Sequence, residues 1–210
     1  MIPVIGSFLF IILYLVAALL YPGGSQADKI SSGYSLVNNY WCNLLYKTGI
    51  NGLPNPGQPF AAAGVVVICF ALSGFWMFFP IQIGLRKYHR LLIQISGLTA
   101  MIISSFLLTE FDHDLVINIS SIFGLIAMIA TLVALYKIKW QKLFVFGLFN
   151  IMLVGLNNYL YHTKGMIIYL PVVQKISFLS FLVWFCLISL FSIRQKVDPS
   201  SVYKENPVRF

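Results

Sequence analysis

Residues 115–136 read LVINISSIFGLIAMIATLVALY, a run of 22 residues without a charged side chain. A helix needs about 20 consecutive apolar residues to cross the hydrocarbon core of a bilayer. This run is long enough and is apolar on all sides, whereas a strand of a membrane β-barrel would alternate in polarity over about 10 residues. Because a helix satisfies its own backbone hydrogen bonds in lipid, the run predicts a transmembrane helix.

Further apolar runs lie on both sides of this one. Together they predict six transmembrane helices, at about 3–21, 61–85, 91–108, 115–136, 143–161 and 168–193. The first run could instead be a cleaved signal peptide, but it lacks the basic segment with which such peptides begin, and we favour an uncleaved helix. We therefore predict an all-α fold, a polytopic membrane helix bundle with about six transmembrane helices. Residues 1–193 would form the membrane domain.

The composition also favours a membrane protein. Hydrophobic residues make up 59% of the 210 residues, charged residues make up 10%, and the mean hydropathy is +0.86. A soluble domain has about 25% charged residues, so this chain has too few charges to coat a soluble globule. The lipid bilayer is therefore the predicted partner. Cys42, Cys69 and Cys186 form no CxxC motif, which argues against a disulfide framework or a cysteine-based zinc site.

The basic residues predict the orientation of the chain. Ten Lys and Arg residues lie between spans two and three, between spans four and five, and after span six, against three in the other loops. The positive-inside rule then places both termini, including a tail at 194–210, in the cytoplasm. The net charge of +8 is thus mainly a topology signal, and no nucleic-acid partner is predicted. We expect a multi-pass protein of the plasma membrane, the inner membrane of a bacterium.

Polar residues gather on the predicted extracytoplasmic side, although apolar spans could be built from Leu and Val alone. We take these residues as candidates for binding a ligand: Asn39, Trp41, Glu110, Asp112, His113, Asp114, Asn118, Asn157, Asn158, His162, Gln174 and Lys175.

Lys175 is the most unusual of these candidates because it is a charged residue within the first two turns of span six. A charged residue inside a membrane segment is by default a hypothesis for a functional site. Its ammonium could snorkel to the outer interface. Alternatively, it could turn inward and pair with Glu110, Asp112 or Asp114.

His113, His162 and Asp112 offer the side-chain types that ligate zinc. However, the sequence contains no HxxxH or HExxH pattern, and the two histidines lie at the ends of different spans. The alternatives to a zinc site are that these residues form a solvated polar rim or that they form part of a ligand-binding mouth. We predict no cofactor, with zinc as the minor hypothesis.

The long loop at 22–59 is the largest extracytoplasmic segment. Within it, Tyr34, Val37, Trp41 and Leu44 recur at helical spacing, which predicts a short amphipathic helix at about 34–46. This helix could lie on the membrane surface, because Trp and Tyr favour the interface. It could also form a lid over the polar mouth.

Several segments resemble one family of bacterial membrane proteins. The segments are Tyr21-Pro-Gly-Gly-Ser-Gln, Gly33-Tyr-Ser, Asn39-Tyr-Trp-Cys-Asn-Leu-Leu, the acidic turn with His113, and Leu170-Pro-Val-Val-Gln-Lys-Ile-Ser followed by Trp184. The chain is similar to domain-of-unknown-function family 998, whose layout is like that of the Frag/DRAM/Sfk-type six-helix membrane proteins. The resemblance implies the architecture and brings no assigned reaction.

Three functions compete on these observations. We favour a non-enzymatic membrane protein whose polar extracytoplasmic mouth binds a lipid or a small ligand. The alternative is a metal-dependent hydrolase of membrane lipids that uses His113, His162 and Asp112. The third is a transporter, which we rank last because we find neither an inverted repeat nor paired broken helices.

Overall fold

The computed structural model describes residues 1–109 and 111–194. In this part of the chain, six α-helices are long and apolar enough to cross a membrane. They are α1 (Ile2–Leu19), α2 (Gln58–Gln82), α3 (Lys87–Ser105), α4 (His113–Lys137), α5 (Gln141–His162) and α6 (Leu170–Arg194). The described residues contain no strand beyond two isolated β-bridges. The predicted fold class is therefore confirmed, and the chain is a multi-pass helical membrane protein.

Every predicted helix end lies within four residues of the observed end. The largest difference is at the start of α3, which was predicted at 91 and begins at Lys87. Helix α4 begins two residues before its apolar run because the Asp112 carboxylate accepts a hydrogen bond from the Leu115 N–H, at 2.7 Å. Such a cap satisfies an N–H that has no partner within the helix. The predicted tail, from residue 195 onward, lies outside the described residues.

The chain divides into two compact units, which we describe separately. The α3–α4 unit comprises Met1–Ile5, Cys69–Gly147 and Trp184–Phe210, and the loop unit comprises Gly6–Ile68 and Leu148–Val183. The loop unit takes its name from the long loop between α1 and α2.

Close contacts to small residues hold the α3–α4 unit together. Gly97 of α3 lies directly against the indole ring of Trp76, so that a Cβ at this position would overlap the ring. The Gln94 side chain donates to the Met77 carbonyl at 2.9 Å. Trp184 is fully buried, and its indole N–H donates to the Leu143 carbonyl at 2.8 Å. Glycine thus allows large aromatic side chains to approach a neighbouring backbone closely.

In the loop unit, the long loop packs on helices through similar close approaches. Gly57 lies against the Ala17 carbonyl, and Gly64 lies beneath the Tyr14 ring. Gly24 has a positive φ of 82° and almost touches the backbone of Asn51, so a side chain would not fit there. Gly57 thus packs the end of the loop on α1, Gly64 lets α1 and α2 approach each other, and Gly24 brings two segments of the loop together.

The amphipathic helix predicted at about 34–46 does not form as such. Only Trp41–Leu45 is helical, as a five-residue 3-10 helix. Polar side chains accept hydrogen bonds from backbone N–H groups that would bond to backbone carbonyls in an α-helix. Asn39 Oδ1 accepts from the Ser35 N–H at 2.9 Å, and Asn43 Oδ1 accepts from the Tyr40 N–H at 2.7 Å. Such local bonds compete with helical ones, which explains why the apolar spacing alone was misleading.

Candidate functional site

Trp41 packs the 3-10 helix of the long loop against two transmembrane helices, α1 and α6. Its ring centroid lies 5.7 Å from Phe10, 5.4 Å from Tyr14 and 5.3 Å from Phe178. These separations are typical of favourable aromatic pairs. The Trp41 backbone N–H also donates to Gln174 Oε1 of α6, at 3.3 Å. The loop is therefore docked on α1 and α6 by both apolar and polar contacts.

Asn39 organises the loop from within. The side chain is completely buried, and its amide nitrogen donates to the Gly24 carbonyl at 2.8 Å. Asn43 is also buried, and its side-chain oxygen accepts from Gln26 Nε2 at 3.2 Å. Buried amides in native structures are normally hydrogen-bonded in this way. These asparagines thus hold successive turns of the loop together.

Lys175 links α6 to this loop. The residue is only 7% exposed, and its ammonium donates to the Pro171 carbonyl at 2.8 Å and to the Asn39 carbonyl. The ring of Tyr34 lies 5.7 Å from the ammonium nitrogen, within the range of a cation–π contact. The side chain is thus buried under the loop and does not snorkel to an exposed surface. We call Tyr34, Asn39, Trp41, Gln174 and Lys175 the Lys175 cluster.

The carboxylates that were expected as partners for Lys175 have other contacts or lie outside the described residues. Asp112 caps α4, and Asp114 Oδ1 lies 3.1 Å from His113 Nδ1. Both belong to the α3–α4 unit, as does the exposed Asn118. Glu110 is not described, so its pairing with Lys175 stays a prediction. Acidic residues at the first turn of α4 also stabilise its N-terminus, which carries a partial positive charge.

The candidates on α5 face in different directions. Asn157 Nδ2 donates to Ser177 Oγ of α6 at 2.5 Å and to the Leu153 carbonyl at 2.8 Å. Asn158 and His162 are exposed, and the His162 ring lies 5.1 Å from that of Tyr161. Asn157 therefore joins two helices, whereas its neighbour Asn158 does not point into the packed interior.

The metal hypothesis finds no preformed site in the described part of the chain. Within residues 1–109 and 111–194, no group of three or more His, Cys, Asp or Glu side chains is arranged to hold a metal ion. Asp112 and His113 belong to the α3–α4 unit, and His162 belongs to the loop unit. Zinc binding by these three residues stays a prediction.

Sequence reasoning missed the role of Tyr34. Its hydroxyl donates to the same Asn39 carbonyl as Lys175, at 3.4 Å. Burial raises the pKa of the Tyr34 phenol, with smaller contributions from the nearby Cys42 and Tyr21, and keeps the group protonated. Tyr34 did stand out in the aromatic pattern of the loop. Nothing in that pattern, however, connected it to a lysine 141 positions later in the sequence.

A second polar feature of the loop unit is Asn150 in α5. The residue is fully buried, and neither polar atom of its side chain has a hydrogen-bond partner among the described residues. A buried amide without partners is destabilising by about 1–3 kcal/mol. Asn150 is thus an unexplained polar group inside an apolar helix interface.

A groove in the α3–α4 unit is lined by both apolar and polar surface. Its lining side chains come from α1, α2 and α6, and they include Pro3, Phe75, Phe78, Phe79, Gln82 and Ser189. Such a surface is an ordinary one for packing against lipid, and we place the candidate site in the loop unit.

No protein-family model, curated protein or solved structure matches this chain. The resemblance to domain-of-unknown-function family 998 therefore stays a prediction. The structure itself defines the class of protein, a multi-pass helical membrane protein with a structured loop docked on its helices.

Proposed function

We propose that this chain is a bacterial inner-membrane protein that binds a lipid or a small ligand at the Lys175 cluster, on the extracytoplasmic side, without catalysing a reaction. The observation that carries the proposal is the buried ammonium of Lys175. Its hydrogen-bond acceptors among the described residues are two neutral backbone carbonyls.

The energetics of a charge inside a membrane segment support a functional role. A lysine costs roughly 2.5–3.5 kcal/mol at the middle of a bilayer and less near the end of a span, and Lys175 lies in the first two turns of α6. A Met or Leu at this position could fill the space under the loop without that penalty. Of the three N–H groups of an ammonium, two have carbonyl acceptors among the described residues. The third can donate to a bound molecule.

The surroundings of the cluster also suit a binding site. Trp41 and its aromatic neighbours provide apolar surface, and Gln174 and Tyr34 provide polar groups beside it. Ligand sites in proteins commonly combine a mainly apolar wall with a few polar groups that fix orientation. The excess of basic residues in the opposite loops supports an extracytoplasmic location.

Native mass spectrometry of the purified protein tests the proposal. We expect the wild-type protein to retain a bound lipid or small molecule after detergent purification, and Lys175→Met to retain at least tenfold less. Lys164→Met serves as the matched control because Lys164 is exposed in the connection before α6. Equal retention by Lys175→Met, or no retained molecule in any variant, would count against a ligand site at this cluster.

The metal-dependent hydrolase is tested separately by elemental analysis. On our proposal, purified protein contains far less than one zinc ion per chain, and a His113→Ala/His162→Ala double variant retains the same ligand as the wild type. Stoichiometric zinc that disappears in the double variant would favour the enzyme instead.

A further inference from the structure

We propose that the Lys175 cluster recognises an oxyanion, a phosphate or carboxylate group, and that this group replaces the Asn39 carbonyl on Lys175 and thereby releases the long loop. This inference rests on the proposed function. It adds the chemical class of the ligand and the movement of the long loop that lets the ligand bind. A lipid headgroup and a free anion share this chemistry, so the experiment below distinguishes them.

The first support is the convergence of donors on one neutral oxygen. The Asn39 carbonyl accepts from the Lys175 ammonium and from the Tyr34 hydroxyl, which come from α6 and from the loop. A carbonyl oxygen bears only a partial negative charge. The bond from the Lys175 ammonium is already strengthened because its donor is ionised, and an oxyanion acceptor would add the attraction between opposite charges. The carbonyl therefore occupies a position that suits an oxyanion better.

The second support is a donor next to Lys175 that has only a weak acceptor. Gln174 Nε2 lies 3.9 Å from the Cys42 sulfur, its acceptor among the described residues. A thiol sulfur is a weak hydrogen-bond acceptor. An oxygen of a phosphate or carboxylate group would be a stronger acceptor for this amide. Together with Lys175 and Tyr34, Gln174 gives three donors of the kinds that bind such groups.

The third support is the position of these contacts between the loop and α6. The bond from Lys175 to the Asn39 carbonyl and the bond from the Trp41 N–H to Gln174 join the two elements. Lys175 is almost fully buried when the loop is closed. Because the loop covers Lys175, we expect a ligand to reach the ammonium by displacing the loop. A ligand that binds the open form better than the closed form shifts the population toward the open form.

Cys42 reports the movement of the loop. It lies in the 3-10 helix that carries Trp41 and is half-buried. In a Cys69→Ser/Cys186→Ser background, the rate of maleimide labelling of the full-length protein in neutral detergent measures the exposure of Cys42. The added probes are dihexanoyl phosphatidylglycerol, dihexanoylglycerol, sodium phosphate, and sodium chloride at matched ionic strength.

We expect phosphatidylglycerol to raise the labelling rate at least fivefold, with no change from dihexanoylglycerol or chloride. A rise with phosphate alone shows that the free anion suffices, and a rise with phosphatidylglycerol only shows that the group must be carried on a lipid. Lys175→Gln should label rapidly without any probe and respond to none, whereas Lys164→Gln should behave as the parent does. Tyr34→Phe, which removes only a hydroxyl, should require at least threefold more probe.

Two results would overturn the inference. One is that no oxyanion probe changes the labelling rate. The other is that Lys175→Gln labels as slowly as the parent and still responds. If native mass spectrometry nevertheless finds a ligand that depends on Lys175, the proposed function stands and only its oxyanion chemistry and loop movement fail.

Discussion

At the scale of single residues, Lys175 and Asn39 show two different ways of placing polar groups in a membrane protein. Asn39 is buried, and its side-chain amide uses both of its polar atoms within the loop. Lys175 is buried, and among the described residues its ammonium contacts two backbone carbonyls and an aromatic ring. Each polar atom of the Asn39 side chain therefore has a hydrogen-bond partner. Lys175 has two carbonyl acceptors for three N–H groups among the described residues, and this difference leads us to propose the ligand at Lys175.

The sequence could identify several residues of this cluster but could not identify their contacts. Lys175, Gln174, Asn39 and Trp41 stand out because polar and interfacial side chains are unusual within or near apolar spans. The partners of Lys175 are backbone carbonyls, which every residue has, and one of them lies 136 positions away. No residue-type pattern can reveal such a pair. The expected carboxylate partner was the natural choice from charge alone.

Asn150 allows a direct test of how polar groups affect stability in the loop unit. We predict that Asn150→Leu raises the free energy of unfolding by about 1 kcal/mol, because it removes a buried amide that has no described partner. Asn157→Leu should lower this free energy by about 1 kcal/mol, because it breaks the bond to Ser177. Reversible unfolding in SDS measures both variants. A loss of stability in Asn150→Leu would show that this amide has a favourable role.

At the scale of elements, the transmembrane helices were predictable and the loop was not. Each span is fixed by a single requirement, a run of apolar residues long enough to cross lipid, and this requirement is local in sequence. The loop depends on which of several competing hydrogen bonds form. Ser35, Asn39 and Asn43 bind the backbone around them, and these bonds reduce the predicted helix to Trp41–Leu45.

Asn39 and Asn38 should contribute differently to the stability of the loop. We predict that Asn39→Ala makes the loop more sensitive to trypsin, which cleaves after Lys29 or Lys47, by at least fivefold in rate. The reason is that it removes the bonds to the Gly24 carbonyl and the Ser35 N–H. Asn38→Ala is the matched control, because the bond at this position comes from its backbone N–H. Equal digestion rates for the two variants would contradict the role we give to Asn39.

Helix packing in the α3–α4 unit depends on Gly97. We predict that Gly97→Ala lowers the free energy of unfolding by about 1–3 kcal/mol, because the new methyl group would overlap the Trp76 ring. Gly155→Ala is the control, since a Cβ at Gly155 would have no neighbour within 4 Å. The same SDS unfolding experiment compares the two. A neutral Gly97→Ala variant would show that α2 and α3 separate easily.

At the scale of the whole molecule, the number of transmembrane helices and the orientation of the chain are predicted from the sequence by different arguments. Hydropathy predicts six spans, and the part of the chain that the structure describes contains six helices long and apolar enough to cross a membrane. Orientation follows from the distribution of Lys and Arg, and it stays a prediction. The extracytoplasmic position of the Lys175 cluster depends on that orientation, so it requires its own test.

Labelling of single cysteines in intact bacterial cells tests the orientation. We expect Cys42, in a Cys69→Ser/Cys186→Ser background, to react with a membrane-impermeant maleimide before the cells are permeabilised. A cysteine introduced as Lys139→Cys, in a variant that also lacks Cys42, should react only after permeabilisation. The opposite pattern would place the long loop in the cytoplasm and would remove the basis for an extracytoplasmic ligand.

The most direct test of the account is an experimental structure of the protein, extracted with its native lipids into polymer nanodiscs. We predict density for a bound molecule within hydrogen-bonding distance of the Lys175 ammonium, with the Asn39 carbonyl displaced from it. A closed loop in these nanodiscs, with Lys175 bonded only to the Asn39 and Pro171 carbonyls and no density beside it, would contradict the account.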